Sequence, residues 1–226
     1  MKVLIACEES QTVCKAFRDL GHEAYSCDIQ EPSGGHPEWH ILGDALTAIQ
    51  GGQVTTMDGQ ARDVGRWELL IAHPPCTYLT SSSAVRLFSP DHTIKDWSRE
   101  QRGWEARQFF LQLLTCGIER IAVENPTPLS WFRLPPYSQI IEPYMFGDPW
   151  KKRTCLWLRG LPDLVETDVV DPKGLWVGST SGRDGCTGRI KSGYTLASHR
   201  DSKSRAKTFS GIARAMAEQW GGLEVE

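Results

Sequence analysis

The seven cysteines of this 226-residue chain include no Cys-x-x-Cys pair, and no apolar run approaches the ~18–20 residues of a membrane span. Internal repeats and low-complexity tracts are missing as well. Residues 1–5 lead straight into polar sequence with no secretory signal. The odd cysteine set (7, 14, 27, 76, 116, 155 and 186) therefore predicts thiols in a reducing cytoplasm, not a disulfide framework. Cys27, His36 and His40 are metal-ligand types, yet Pro37 interrupts the His-x3-His spacing and no second pair follows, so no metal is expected. A basic excess is lacking too: 25 Lys+Arg face 28 Asp+Glu, a formal net charge of −3, which excludes a chain that is polycationic throughout. What is present, 40% hydrophobic and 23% charged residues, fits a soluble globular domain with room for an insertion.

The charge is unevenly spread. Residues 1–150 hold 12 Lys/Arg and 19 Asp/Glu, whereas residues 151–214 hold 13 Lys/Arg and 6 Asp/Glu. A polyanion is expected to meet the later stretch.

Residues 2–6 predict a buried strand, 8–20 a helix ended by Gly21, and 23–27 a second strand, which together make a βαβ unit. A soft polar segment runs from Gly43 to about Asp63. Residues 67–72 predict a strand running into His73-Pro74-Pro75-Cys76. Residues 95–116 predict a helix with Trp97, Trp104, Phe109, Leu111 and Leu114 inward. Strands follow at 120–123, ending at Glu124-Asn125-Pro126, and at 153–158. Residues 204–220 predict a closing helix with Phe209, Ile212, Ala213, Met216 and Trp220 on its buried stripe. The alternation predicts an α/β fold, a doubly wound, mostly parallel sheet. Its expected parts are a core over 1–161, a small basic insert over 162–200 and a C-terminal helix over 201–226 packed back on the core. Such sheets bind ligands at the carboxyl ends of their strands, so Cys7, Glu8, Asp28, Asp44, Cys76 and Glu124 should share one edge.

Two prolines before Cys76 fix φ and make a stiff turn, the placement a nucleophilic thiolate requires. Glu124 follows an apolar strand, where a carboxylate is costly unless it leaves the sheet towards a site. A thiolate that adds to an electron-poor ring, with an acid against a ring nitrogen, fits this pair.

In this order the motifs resemble those of the DNA cytosine-5 methyltransferases, in particular the compact versions of bacteriophages and prophages. Pro74-Pro75-Cys76 is similar to the family's nucleophile motif and Glu124-Asn125 to its Glu-Asn motif. Lys152-Arg153 is similar to its basic motif, and Thr208-Phe-Ser-Gly-Ile-Ala213 to its last. The resemblance implies a fold of the S-adenosylmethionine-dependent methyltransferase type. Cys76 would attack C6 of a flipped cytosine, Glu124 would hold N3 and the exocyclic amine, and Arg153 would support the base or the nucleophile loop. It implies S-adenosylmethionine at Cys7, Glu8, Ser10, Asp28, Ile29, Asp44, Pro74 and Ser210. It also implies double-stranded DNA at Pro75, Ser81, Asn125, Arg189, Lys191 and Arg205, met by a monomer away from any membrane.

Two departures stand out. Ala6-Cys7-Glu8-Glu9-Ser10 has no glycine where the family has a Gly-rich turn, and the insert is too short for a substantial recognition lobe, which implies short or relaxed specificity. Two other readings stay open: a same-fold enzyme acting on a pyrimidine nucleotide or RNA or using a modified donor, and a non-catalytic DNA-binding or anti-restriction protein. His73-Pro-Pro-Cys76 lacks both the acid or amide and the aromatic of an amino-methyltransferase motif.

Overall fold

The structure, a computed structural model, describes residues 1–173, 175–177 and 207–223. In chain order it comprises β1 (Lys2–Ala6), α1 (Thr12–Asp19), β2 (Glu23–Asp28), β3 (His40–Leu42), α2 (Ala45–Ala48), β4 (Gly52–Thr55), β5 (Ala61–Gly65), β6 (Leu69–Ala72), α3 (Ala84–Leu87), α4 (Trp97–Leu114), β7 (Arg120–Pro126), β8 (Gln139–Ile141), β9 (Thr154–Arg159) and α5 (Ser210–Gly221). Seven strands form one sheet in the order β3-β2-β1-β6-β7-β9-β8, while β4 and β5 make a separate hairpin. β3, β2, β1, β6 and β7 are parallel, and β9 runs against both its neighbours.

Parallel central strands are buried on both faces, and their side chains alternate between two cores. Leu4, Ala6, Leu70, Ala72, Ile121 and Val123 join Phe110, Leu113 and Trp157 on the α4 face. Val3, Ile5, Leu69, Ile71 and Ala122 join Phe17, Ile212, Met216 and Trp220 on the α1–α5 face. The strand order reverses between β1 and β6, so the carboxyl ends of these two strands open the crevice of a doubly wound sheet.

The structure corrects several expected elements. α1 begins at Thr12, not at residue 8, because residues 7–11 form a turn with Cys7 and Gln11 both left-handed (φ 60° and 57°). The segment read as soft supplies α2 and the β4–β5 hairpin, and the short strands β3 and β8 form where none was expected. On α4 the fully buried residues are Gly103, Phe110 and Leu113, and Phe109, Leu111 and Leu114 pack partly buried against the same core as expected, while Trp97 (68% exposed) and Trp104 point outward. A Cβ on Gly103 would overlap the Phe132 ring, so that close approach sets the helix's rotation. Residues 204–206 of the expected closing helix lie outside the described residues.

After β9 the chain returns along β8 and α5. Leu164 exchanges hydrogen bonds with the Gln139 side chain, and Val165 does so with that of Gln219. It then reaches Lys151, whose carbonyl accepts from Val177 N at 2.9 Å, while the next residue, Lys152, donates from Nζ to the Lys207 carbonyl at 3.1 Å. Among the described residues no helix is long and apolar enough to cross a membrane.

Candidate active site

β6 ends at Ala72, paired with Val123 of β7 in parallel register. One step further the register brings His73 opposite Glu124, and His73 Nδ1 meets Glu124 Oε2 at 2.7 Å. Both side chains are nine-tenths buried or nearly so, at 10% and 12% exposed. Pro74 is buried and Pro75 exposed beyond them, and the half-buried Cys76 is in no disulfide. The chain after the cysteine folds back on itself: the Cys76 carbonyl accepts from the amides of Leu79 and Thr80 at 3.2 Å. It is also stitched to the continuation of β7, through Ser81 N to Thr127 O at 2.9 Å and Leu129 N to Leu79 O at 2.6 Å. The turn carrying Cys76 and the strand carrying Glu124 are thereby held as one unit.

Charge in this cluster is strongly coupled. Burial works to raise the Glu124 pKa, but the Lys152 charge and the His73 hydrogen bond outweigh it and hold the carboxyl at about 2. Burial works to lower the His73 pKa, yet its bond to Glu124 and the charges of Glu124 and Glu8 drive it up overall. Lys152, just before β9, is thus the cation acting on Glu124. Arg153 is exposed, and its charge falls on Glu142 and Cys155. The Lys152 amide is fixed by Glu142 Oε2 at 2.7 Å. Glu124 and Lys152 line a narrow recess, with room for about a single water, together with Thr154, Thr208, Phe209 and Ile212.

The second group lies at the ends of β1, β2 and β3. Burial, then the charges of Asp28 and Asp44, push the Cys7 thiol up, which keeps it protonated and argues against it as a nucleophile. Asp28 Oδ1 accepts from Gln30 N, and Ile29 beside it is 79% exposed. Asp44 is exposed and caps α2 by accepting from Leu46 N. Cys7, Asp28 and Asp44 therefore cluster at one edge of the sheet.

Glu8 does something the sequence does not reveal. Buried to 4% exposed, its carboxylate accepts from Val13 N at 2.7 Å and Cys14 N at 3.2 Å, and so caps α1 in place of its N-cap residue. Ser10 Oγ bonds Thr12 Oγ1. The buried Gln11 latches the loop after β2, exchanging hydrogen bonds with the backbone of His36. The ring nitrogens of the third metal-type residue, His40, meet Ser26 Oγ and Gln30 O, and the Cys27 thiol donates to Gly43 O.

Other expected site residues divide. Asn125 is buried, with Oδ1 unpartnered among the described residues, and Ser81 is exposed at the stitched turn. Ser210 is exposed at the start of α5, in a groove with Asp148 and Asp168 rather than beside Asp28. Arg189, Lys191 and Arg205 lie outside the described residues. His73 and Lys152 were missed. The legible signal for His73 was a titratable residue one register step from Glu124.

No protein-family model matches the chain, and a search of curated proteins gives no significant match. Among solved structures it is similar to one described as a DNA modification methyltransferase encoded within an E. coli prophage, at 10% identity and a TM-score of 0.42, covering 76% of this chain and 52% of that one. It is also similar to the Entamoeba histolytica methyltransferase EhMeth, at 14% identity and a TM-score of 0.43, covering 75% of this chain and 57% of that one. The chain thus spans little more than half the length of each.

Proposed function

We propose that the chain is a DNA cytosine-5 methyltransferase using S-adenosylmethionine. The observation that carries this reading is the unit made by Cys76 and Glu124, a thiol on a Pro-Pro turn stitched beside a buried carboxylate at the switch point of the sheet. The Cys76 thiolate bonds to C6 of a flipped cytosine, and the electron pair of the C5=C6 bond is pushed to C5. Glu124 stands against the N3 and amine edge. With a methyl group then bonded to C5, loss of the C5 proton restores the double bond and expels the Cys76 thiolate. Arg153, exposed ahead of β9, is kept as support for the base or the nucleophile loop.

Asp28 and Asp44 offer carboxylates beside the exposed Ile29, which suits the hydroxyls and the flat ring of a nucleoside. When bound, S-adenosylmethionine supplies an electrophilic methyl group. Glu8 fills the α1 amides that would otherwise receive its carboxylate, so that end must be held elsewhere. This same observation favours a second reading, a same-fold enzyme with a modified donor or a nucleotide or RNA substrate.

Incubation with labelled S-adenosylmethionine and duplex DNA, followed by mass spectrometry of the nucleosides, is expected to yield 5-methylcytosine. Cys76→Ser is expected to lower transfer by at least about 10³-fold and to abolish covalent trapping on 5-fluorocytosine DNA. Full transfer by that variant would sink the mechanism.

A further inference from the structure

The cytosine reading uses two strand ends and leaves a third feature of the same region without a task. Trp97 and Trp104 lie seven residues apart on one flank of α4, about 10 Å along its axis, with Glu100 between them. Glu100 Oε1 accepts from Trp104 Nε1 at 3.3 Å and from Trp131 Nε1 at 3.2 Å. Each of those two rings is also held edge-to-face, Trp104 by Phe132 and Trp131 by Phe88 at 5.3 Å between centroids. The one polar atom of each indole is thus satisfied, yet 39% of Trp104 and 41% of Trp131 stay exposed, and Trp97 is more open still. What they offer outward is fixed aromatic surface.

This surface adjoins the nucleophile turn and carries cations. Trp131 follows Leu129, whose amide is bonded to Leu79. On the other flank of α4, Arg99 donates to the Thr77 carbonyl at 2.7 Å and lies over the Tyr78 ring, and Arg102 donates to the Tyr78 hydroxyl at 3.3 Å. Arg107 lies over Trp104, 5.8 Å from the ring centroid. Five of the twelve Lys/Arg of residues 1–150 fall between 86 and 107, within a part of the chain that is acidic as a whole. The acids of that stretch are engaged by neutral donors: Asp91 by Thr93, Asp96 by the Arg99 amide, Glu100 by the two indoles and Glu105 by Gln101. Among the described residues, Arg99, Arg102 and Arg107 have no carboxylate at ion-pair distance.

We propose that Trp104 and Trp131, with Trp97 and the arginines of α4, bind unpaired nucleotides of a single-stranded nucleic acid. The indoles stack on bases and the guanidinium groups meet phosphates. Every base has a π-face, so such stacking requires no particular sequence. A closed duplex keeps those faces between neighbouring base pairs, so the indoles select a strand that is already open, whereas the cations alone would serve either form. Rings locked by Glu100 lose little freedom when a base settles on them. This surface goes beyond the cytosine reading and stands without it, because no transfer step enters.

The test titrates the whole chain, without donor and at one fixed salt concentration, into fluorescent oligonucleotides of about 12 nucleotides. The probes are oligothymidylate, oligouridylate, an abasic strand with the same number of phosphates, and a duplex. Anisotropy is expected to show oligothymidylate or oligouridylate bound at least about tenfold more tightly than the abasic strand, and the tighter of the two names the sugar. The double variant Trp104→Ala, Trp131→Ala should lose that advantage while binding the abasic strand and the duplex as wild type does. Trp104→Phe, Trp131→Phe keeps a ring at each place and should recover most of it. Equal wild-type affinity for all three single strands overturns the proposal, and so does an alanine variant that keeps the wild-type advantage.

Should the alanine variant fail to fold, photocrosslinking of wild type to single strands containing 5-iodouracil decides instead, with the adducts located by mass spectrometry. Adducts are expected at Trp97, Trp104 or Trp131, and adducts confined to other residues overturn the platform. A chain that binds unpaired strands in this way but transfers no methyl to cytosine sinks the cytosine reading alone. Methyl transfer to cytosine with no base-dependent binding sinks the platform alone.

Discussion

At the scale of single residues, Glu8 shows how a charge that looks misplaced can be structural. Its carboxylate replaces a side-chain N-cap for α1 by taking two backbone amides. Glu8→Ala is therefore expected to cost about 2 kcal/mol in urea unfolding, because two buried donors lose their acceptor. Burial raises the Glu8 pKa despite those bonds and the His73 charge. The folded state thus holds its proton more tightly than the unfolded chain, and stability falls as pH climbs from the ordinary glutamate value through the raised one. The Ala variant should lack that part of the slope. Cys76 and Glu124 were legible because prolines and strand ends mark them in the sequence. Glu8 was not, since its partners are main-chain groups that carry no residue signature.

At the scale of elements, the pattern of apolar residues found five of the seven sheet strands, missing the three-residue β3 and β8, and misplaced the two tryptophans of α4. Trp97 and Trp104 dominate the helical periodicity by size, yet the packing contact is made where the helix has no side chain, at Gly103 against Phe132. Trp104 meets the same ring edge-on at 5.4 Å between centroids. In an exposed helix Gly→Ala would stabilise by roughly 1 kcal/mol. Here Gly103→Ala is expected to lower the melting temperature, because Phe132 cannot remain in place, and an unchanged or raised melting temperature would refute this packing. The β4–β5 hairpin escaped notice because only Val54 and Val64 are inward within its two strands, too few to show alternation.

At the scale of the whole molecule, the net charge of −3 conceals an acidic core and a basic stretch whose Arg183, Arg189, Lys191, Arg200, Lys203 and Arg205 lie outside the described residues. If this stretch grips a phosphate backbone, affinity for duplex DNA falls steeply with salt. The double variant Arg189→Glu, Lys191→Glu should then reduce the log–log salt slope by about 2. An unchanged slope in a binding titration across salt concentrations would place the contacts elsewhere.

The chain on either side of this stretch is pinned to consecutive residues, Val177 to Lys151 and Lys207 to Lys152. The chain therefore leaves the described core and rejoins it at neighbouring points. For a flexible connection between neighbouring points, each doubling of length costs only about 0.6 kcal/mol of closure entropy. A change of length between these anchors is therefore expected to leave the strands that carry Cys76 and Glu124 in place.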